Sequence, residues 1–106
     1  MTAPVIPVIH TWFGASGRGF KFTVSPLPVA GLIAERNGNF ILARADGPGW
    51  AAISIGQGRL DTAIPAAAAR AKGATHVHWR YTGGGESMRQ ELDADLRAGH
   101  KDAGPA

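Results

Sequence analysis

Large apolar side chains are scarce in this sequence, and that scarcity limits what the chain can fold into. Hydrophobic residues make up 44% of the 106 residues, but 19 of them are Ala. Leu, Ile, Val and Phe together number only 22, just above the composition at which highly charged chains stay disordered. Because the formal net charge is only +3, we expect a single folded domain with a small core. The length is too short for a two-domain enzyme with separate cofactor and substrate lobes.

Several classes of protein are excluded by what the sequence lacks. There is no Cys, so disulfide scaffolds, thiolate zinc sites and Cys nucleophiles are all ruled out. No apolar run approaches the ~20 residues of a membrane span. The first nine residues carry no basic group before their short apolar run, which is untypical of a signal peptide. We therefore expect a soluble, cytoplasmic protein that does not contact a membrane.

Charge is distributed unevenly along the chain. Residues 1–80 contain eight Lys or Arg and three Asp or Glu, a balance of +5. Residues 81–106 contain three and five respectively, a balance of −2. A basic body with an acidic end is compatible with binding to nucleic acid, although a small net charge is also ordinary for a soluble protein.

The pattern of apolar residues predicts an α+β fold. Clean alternation from Phe20 to Ser25 is typical of a half-buried strand, and the turn composition of residues 46–49 predicts a hairpin. We expect a small, mainly antiparallel sheet with two helices in the order β-β-β-α-β-α. The strands are predicted at residues 20–25, 39–45, 50–55 and 75–81. We divide the chain into an extended arm and loop (1–19), a single domain (20–100) and a polar tail (101–106).

Each predicted helix has its own start and stop signals. Residues 60–72 carry an apolar stripe that ends at Gly73. Pro65 either kinks this helix or marks its true start. Ser87 and Gln90 fit a capping box that would begin the last helix, which Gly99 would end.

Three motifs, taken in order, resemble the GIY-YIG nuclease superfamily. They are Gly38-Asn39-Phe40 on a strand, Ser54-Ile55-Gly56 leading into a helix, and Gly73-Ala74-Thr75-His76-Val77 before the next strand. The sequence is more closely similar to a set of small bacterial GIY-YIG-like proteins. The resemblance covers residues 31–98 and implies a GIY-YIG-like domain.

The resemblance also implies an active site, whose positions are altered here. The family uses two Tyr, an Arg on the first helix and a metal-binding Glu on the last helix. The Tyr positions match Phe40 and Ser54, the Arg position falls near Ala63, and the Glu position best matches Asp93, with Glu91 two residues earlier. Losing the phenols and the cation removes proton transfer and phosphate stabilisation together. The implied catalytic site is therefore degenerate.

We expect from this resemblance a domain that binds nucleic acid with little or no cleavage and needs no cofactor. Arginine makes strong bidentate bonds to phosphate, and the candidate contacts are Arg44, Arg59, Arg70 and Arg80. One alternative is an active endonuclease with a rearranged site, using one Mg or Mn ion on Asp93 or Glu91. Another is a non-enzymatic module that binds a protein, or a second copy of itself, through residues 1–9 or a sheet edge.

Two further motifs allow a second interpretation. His76 and His78 project from one face of a strand and could bind a metal with His10 or His100 as third ligand; they could equally form a polar sheet face with Arg80. The glycines at 83–85 precede a helix and could hold an anion, but a flexible connection explains them as well.

Overall fold

The computed structural model describes residues 8–27, 36–64 and 66–105, and they form an α+β domain built on one sheet. The sheet has six strands, and helices lie on both of its faces. In chain order the elements are β1 (Val8–Phe13), β2 (Gly19–Pro26), β3 (Asn37–Asp46), β4 (Gly49–Arg59), α1 (Leu60–Ala63), α2 (Ala66–Ala71), β5 (His76–Tyr81), α3 (Gly85–Gly99) and β6 (Gly104–Pro105).

The strands lie side by side in the order β1-β2-β5-β3-β4-β6. All neighbours are antiparallel except β4 and β6, which are parallel. The sheet curls enough for Trp12 of β1 and Trp50 of β4 to line the same cleft, although three strands separate β1 from β4. Strand β5 is central, and its neighbours β2 and β3 come from earlier in the chain.

The alternation of side chains divides the core into two clusters. One cluster lies between the sheet and α3 and includes Phe22, Ile41 and Leu96. The other lies on the opposite face, where α1 and α2 pack, and includes Phe40 and Leu60. We call these two surfaces the α3 face and the α2 face. Both faces of β3 are buried, as the apolar run at its centre predicts for a central strand.

The α+β class and the antiparallel sheet are confirmed, but the sheet has more strands than the sequence predicts. Strand β1 pairs with β2 along its whole length, within the segment assigned to an arm and loop. Strand β6 pairs with β4 from within the segment assigned to a polar tail. Residues 60–72 form two short helices on either side of position 65 rather than one. The first seven residues of the arm and the link predicted at 29–34 lie outside the described residues.

The predicted capping box at the start of α3 is wrong. The helix begins at Gly85, and its N-cap is Gly84 with a φ of 88°, a left-handed conformation that favours glycine. No side chain caps this end. Because the helix starts earlier than Ser87, Gln90 bonds instead to Glu86 one turn back. Within the described ranges, no helix is long and apolar enough to cross a membrane.

Candidate nucleic-acid interface

The altered catalytic positions do not come together. Phe40 is buried in the cluster on the α2 face. Ser54 pairs with Leu42 across β3 and β4, and since directly paired residues share a face, Ser54 points the same way. Asp93 lies on α3, across the sheet from both. The sheet therefore separates the two hydroxyl positions from the carboxylate position.

Asp93 has a structural partner. Its Oδ2 accepts a 2.7 Å hydrogen bond from Nε of Arg97, one turn along α3. A terminal nitrogen of Arg97 in turn donates to the carbonyl of Ile55 at 2.7 Å. Asp93 thus holds the arginine that ties α3 to β4. Glu91 is exposed on α3, and no three His, Asp or Glu side chains in the described part of the chain are arranged to hold a metal ion.

The four predicted phosphate-binding arginines are spread over the molecule. Arg44 pairs with Ala51 near the turn of the β3–β4 hairpin, whereas Arg59 lies eight residues further along β4, roughly 25 Å away at the usual strand rise. Arg59 makes a two-bond ion pair with Asp61. Arg70 is in the last turn of α2. Arg80, on β5, is the member that joins a larger group of arginines.

A cleft of about 380 Å³ opens at the end of the sheet where β5 ends and β3 begins. It contains two guanidinium groups and, among the described residues that line it, no carboxylate. The lining residues are Arg36, Asn37, Tyr81, Thr82, Gly83, Gly85 and Arg89.

A close approach of two strands shapes one wall of this cleft. Gly38 on β3 pairs with Tyr81 on β5, and a side chain at position 38 would run into the carbonyl oxygen of Arg80. The absence of a side chain lets the strands stay paired to their ends, where the amide of Thr82 donates to the carbonyl of Asn37 at 3.2 Å. Arg36, the next residue out, then lies with its guanidinium carbon 4.0 Å from the centre of the Tyr81 ring. That distance is typical of a cation–π contact.

Arg89 is held in the opposite wall by a chain of hydrogen bonds. Asn39 is fully buried, and its Nδ2 donates to the Arg89 carbonyl at 3.0 Å. The Asn39 side-chain oxygen accepts from the Thr82 hydroxyl at 2.8 Å. The Nε of Arg89 donates to Gln57 at 3.2 Å. Since these contacts fix the backbone and Nε, the two terminal nitrogens of the guanidinium are positioned in advance for an anion.

Two more arginines lie at the same end of the sheet. The guanidinium carbons of Arg18 and Arg80 are 5.2 Å and 5.6 Å from the centre of the Phe20 ring. Partial burial lowers the pKa of Arg80, and the neighbouring charge of Arg18 lowers it further. The Nε of Arg80 is buried without a hydrogen-bond partner among the described groups. A counter-charge supplied from outside would relieve both costs.

We call Arg18, Arg36, Arg80 and Arg89 the basic end of the sheet. Acidic groups near it are already engaged. Glu86 accepts a hydrogen bond from Gln90, and Asp95 accepts two from Ser16 while lying close enough to feel the charge of Arg18. The positive charge of the cleft itself, from Arg36 and Arg89, faces no acidic side chain in its described lining.

The histidines of β5 form a packed aromatic cluster rather than a polar sheet face. The indole N–H of Trp12 donates to Nδ1 of the fully buried His78 at 2.9 Å. The ring centroid of His78 lies 5.7 Å from that of His10 and 4.6 Å from that of Trp50. Burial, with the neighbouring histidines His10 and His76, lowers the pKa of His78 to about 3. The proposed third metal ligands are therefore near His78, but the described side chains do not form a metal site.

Comparisons with known proteins do not place the chain in a family: no family model, curated protein or solved structure matches it.

Sequence reasoning missed Arg36, Arg89 and Arg18 because no local spacing links them. Arg36 precedes β3, Arg89 is in the second turn of α3, and Arg18 is in the turn before β2. The one usable signal is the position of Arg36 and Tyr81 at opposite ends of two predicted strands. It becomes informative only when the antiparallel register of β3 and β5 is known.

Proposed function

We propose that this protein is a GIY-YIG-like domain that binds nucleic acid through the basic end of its sheet. The observation that carries the proposal is the cleft in which Arg36 and Arg89 face each other with no carboxylate in the described lining. Guanidinium groups suit phosphate because they donate paired hydrogen bonds and keep their charge at any physiological pH. Aromatic rings interleaved with arginines, as with Phe20 and Tyr81 here, are typical of nucleic-acid surfaces.

Of the four arginines expected from sequence to contact phosphate, the proposal keeps Arg80 in the interface. It places Arg44 and Arg70 outside it, because they lie toward the hairpin turn and on α2. Arg59 lies near the start of β3, where its pairing with Asp61 reduces its value for phosphate.

We further propose that cleavage is weak or absent. Cleavage at the altered positions would need Phe40, Ser54 and Asp93 around one phosphate, but the first two share the α2 face and Asp93 lies across the sheet. Asp93 is also held by Arg97. A metal ion on Asp93 would have to compete with that ion pair, and Phe40 offers no hydroxyl for proton transfer.

The test is a binding titration followed by fluorescence anisotropy, with a labelled oligonucleotide of about 20 residues. If four arginines contact phosphates of a single strand, affinity should fall roughly 50-fold between about 50 and about 200 mM salt. Binding that is absent at low salt, or that does not change with salt, would contradict the proposal. The same samples with Mg²⁺ or Mn²⁺ test for cleavage. Cleavage that disappears in Asp93→Ala and Glu91→Ala would instead favour an active nuclease.

A second proposal concerns the outer edge of the sheet. In the described part of the chain β1 pairs only with β2, and it exposes Val8, Ile9 and Phe13 by 59%, 52% and 58%. Edge strands of soluble proteins usually carry charges or Pro that prevent further pairing, and β1 has neither. We propose that β1 pairs antiparallel with β1 of a second copy, since this neutral strand brings no like charges into opposition.

Sedimentation velocity over a range of protein concentrations tests this pairing. Ile9→Lys should shift the protein toward monomer, because it places like charges across the two-fold axis. The matched control is Met88→Lys, which changes another exposed apolar side chain, on α3. A wild-type protein that stays monomeric at high concentration would contradict the pairing.

A further inference from the structure

The cleft at the basic end has the size of a small-molecule site rather than of a duplex groove. Its volume of about 380 Å³ is near the lower limit of the ~300–1,000 Å³ found for pockets that enclose small ligands. A site of this size accepts one nucleotide unit. The bases of a duplex are stacked and paired, so a duplex nucleotide would first have to be extruded from the helix.

Arg36 supplies a surface on which a base can stack. It is exposed, and its guanidinium lies over the Tyr81 ring at 4.0 Å. The Tyr81 ring in turn contacts Trp79 edge-on, with centroids 5.3 Å apart. This packing holds the ring in place beneath the cation. Bases of single-stranded nucleic acid stack on both aromatic rings and guanidinium planes.

Arg89 supplies the second element, a positioned anion donor on the other wall. The bonds from Asn39 to its carbonyl and from its Nε to Gln57 leave its terminal nitrogens for a ligand. Between the two walls, Gly83 has open space around its Cα, so the loop does not obstruct the entrance. A stacking surface facing a phosphate donor matches the two ends of a nucleoside monophosphate unit.

We propose that this cleft holds one unpaired nucleotide, so that the protein prefers single-stranded over duplex nucleic acid. The inference rests on the proposed nucleic-acid function and specifies its substrate class. Arg36 stacks on the base and Arg89 binds the adjacent phosphate. Arg18 and Arg80 contact the backbone on either side.

The test compares a labelled single strand with a duplex of the same sequence at low salt. We expect the single strand to bind at least tenfold more tightly. Arg36→Lys keeps the charge but removes the planar group, so it should reduce single-strand affinity several-fold and leave duplex affinity unchanged. Arg44→Lys, the same change near the hairpin turn, should alter neither.

A competition experiment separates the base from the phosphate. Adenosine monophosphate should displace the labelled strand at concentrations at least tenfold lower than ribose 5-phosphate, which lacks the base. Equal affinity for single strand and duplex, or equal displacement by the two competitors, would overturn the single-nucleotide site while leaving nucleic-acid binding intact. Failure to bind either probe would overturn the proposed function and this inference together.

Discussion

The indole N–H of Trp12 on β1 donates a 2.9 Å hydrogen bond to Nδ1 of His78 on β5. This bond spans the α3 face from the edge of the sheet to its centre, past the intervening strand β2. An indole N–H can only donate, so Nδ1 of His78 must be unprotonated and the proton of the neutral ring must lie on Nε2. Protonating His78 would therefore break a buried bond as well as bury a charge.

This arrangement predicts acid sensitivity. The pKa of His78 is lowered to about 3 from the ordinary 6.5, so between these values the unfolded chain binds a proton that the folded chain does not. Stability is then full above about pH 6.5 and declines as the pH falls toward 3. We expect the free energy of unfolding to fall by on the order of 2 kcal/mol between about pH 7 and about pH 4. Urea titrations followed by Trp fluorescence measure it.

Carboxylates also contribute to acid unfolding, so the prediction needs a variant that removes only the histidine. His78→Asn retains an acceptor for Trp12 and cannot titrate. Its unfolding free energy should depend less on pH over the same interval than that of the wild type. An identical pH dependence in the two proteins would show that His78 is not the responsible group.

The Trp12–His78 bond should also be important for stability at neutral pH. Trp12→Phe keeps an aromatic ring but leaves Nδ1 of His78 buried without a donor. We expect a loss of about 2–4 kcal/mol, from the unsatisfied nitrogen and the smaller ring. Phe13→Leu, at the exposed neighbouring position, should change the unfolding free energy by less than about 0.5 kcal/mol. Similar effects of the two substitutions would contradict the structural role of the bond.

Two glycines near the cleft should respond oppositely to the same substitution. A Cβ at Gly38 would meet the carbonyl of Arg80 on the paired strand, whereas one at Gly83 would meet nothing within 4 Å. Gly38→Ala should therefore destabilise the fold by at least ~2 kcal/mol, since neither strand can move without breaking pairing. Gly83→Ala should remain within about 0.5 kcal/mol of the wild type. Thermal unfolding of the pair measures the difference, and a stable Gly38→Ala variant would argue against the close approach.

Asp95 should order the turn between β1 and β2. It accepts hydrogen bonds from the hydroxyl and the amide of Ser16, at 2.6 Å and 2.9 Å, and these bonds lower its pKa. The contribution is present above the ordinary carboxyl pKa and is lost as the pH falls through the lowered value. In Asp95→Asn the Ser16 amide should exchange its hydrogen at least about tenfold faster by NMR, because a weaker acceptor protects it less. Asp102→Asn, an exposed control, should leave that rate unchanged; equal rates in all three proteins would refute the contact.

Local patterns were sufficient to predict the central elements of the fold. Alternation in Phe20–Ser25 and the apolar centre of β3 predict strands that the structure contains. The outer strands were missed for physical reasons. Residues 8–13 have no regular alternation of exposed and buried types, and β6 is only two residues long. Such segments become strands because a neighbouring strand offers hydrogen bonds, which is a tertiary effect.

The candidate site was harder to predict than the fold. Arg80 was expected to contact phosphate, and it lies at the basic end. Arg36 and Arg89 come together only because β3 pairs with β5 and α3 crosses the sheet, facts that depend on contacts between residues about 40–50 positions apart. Phe40 and Asp93 are placed on opposite faces by the same pairing. A sequence motif records neither relationship.

The central claim is that nucleic acid binds at the basic end of the sheet and not elsewhere on the positively charged surface. The most direct test compares two variants that each lose two positive charges. Arg36→Ala/Arg89→Ala removes both cations of the cleft, and Arg44→Ala/Arg70→Ala removes two arginines outside the proposed interface.

Anisotropy titrations with a labelled single strand at several salt concentrations measure both variants against the wild type. We predict that the cleft variant binds at least tenfold more weakly, with its salt slope reduced by roughly 1.5, as expected for two lost phosphate contacts. The control variant should stay within about threefold of the wild type. Equal losses in the two variants would show that binding depends on net charge alone and would contradict the proposed interface.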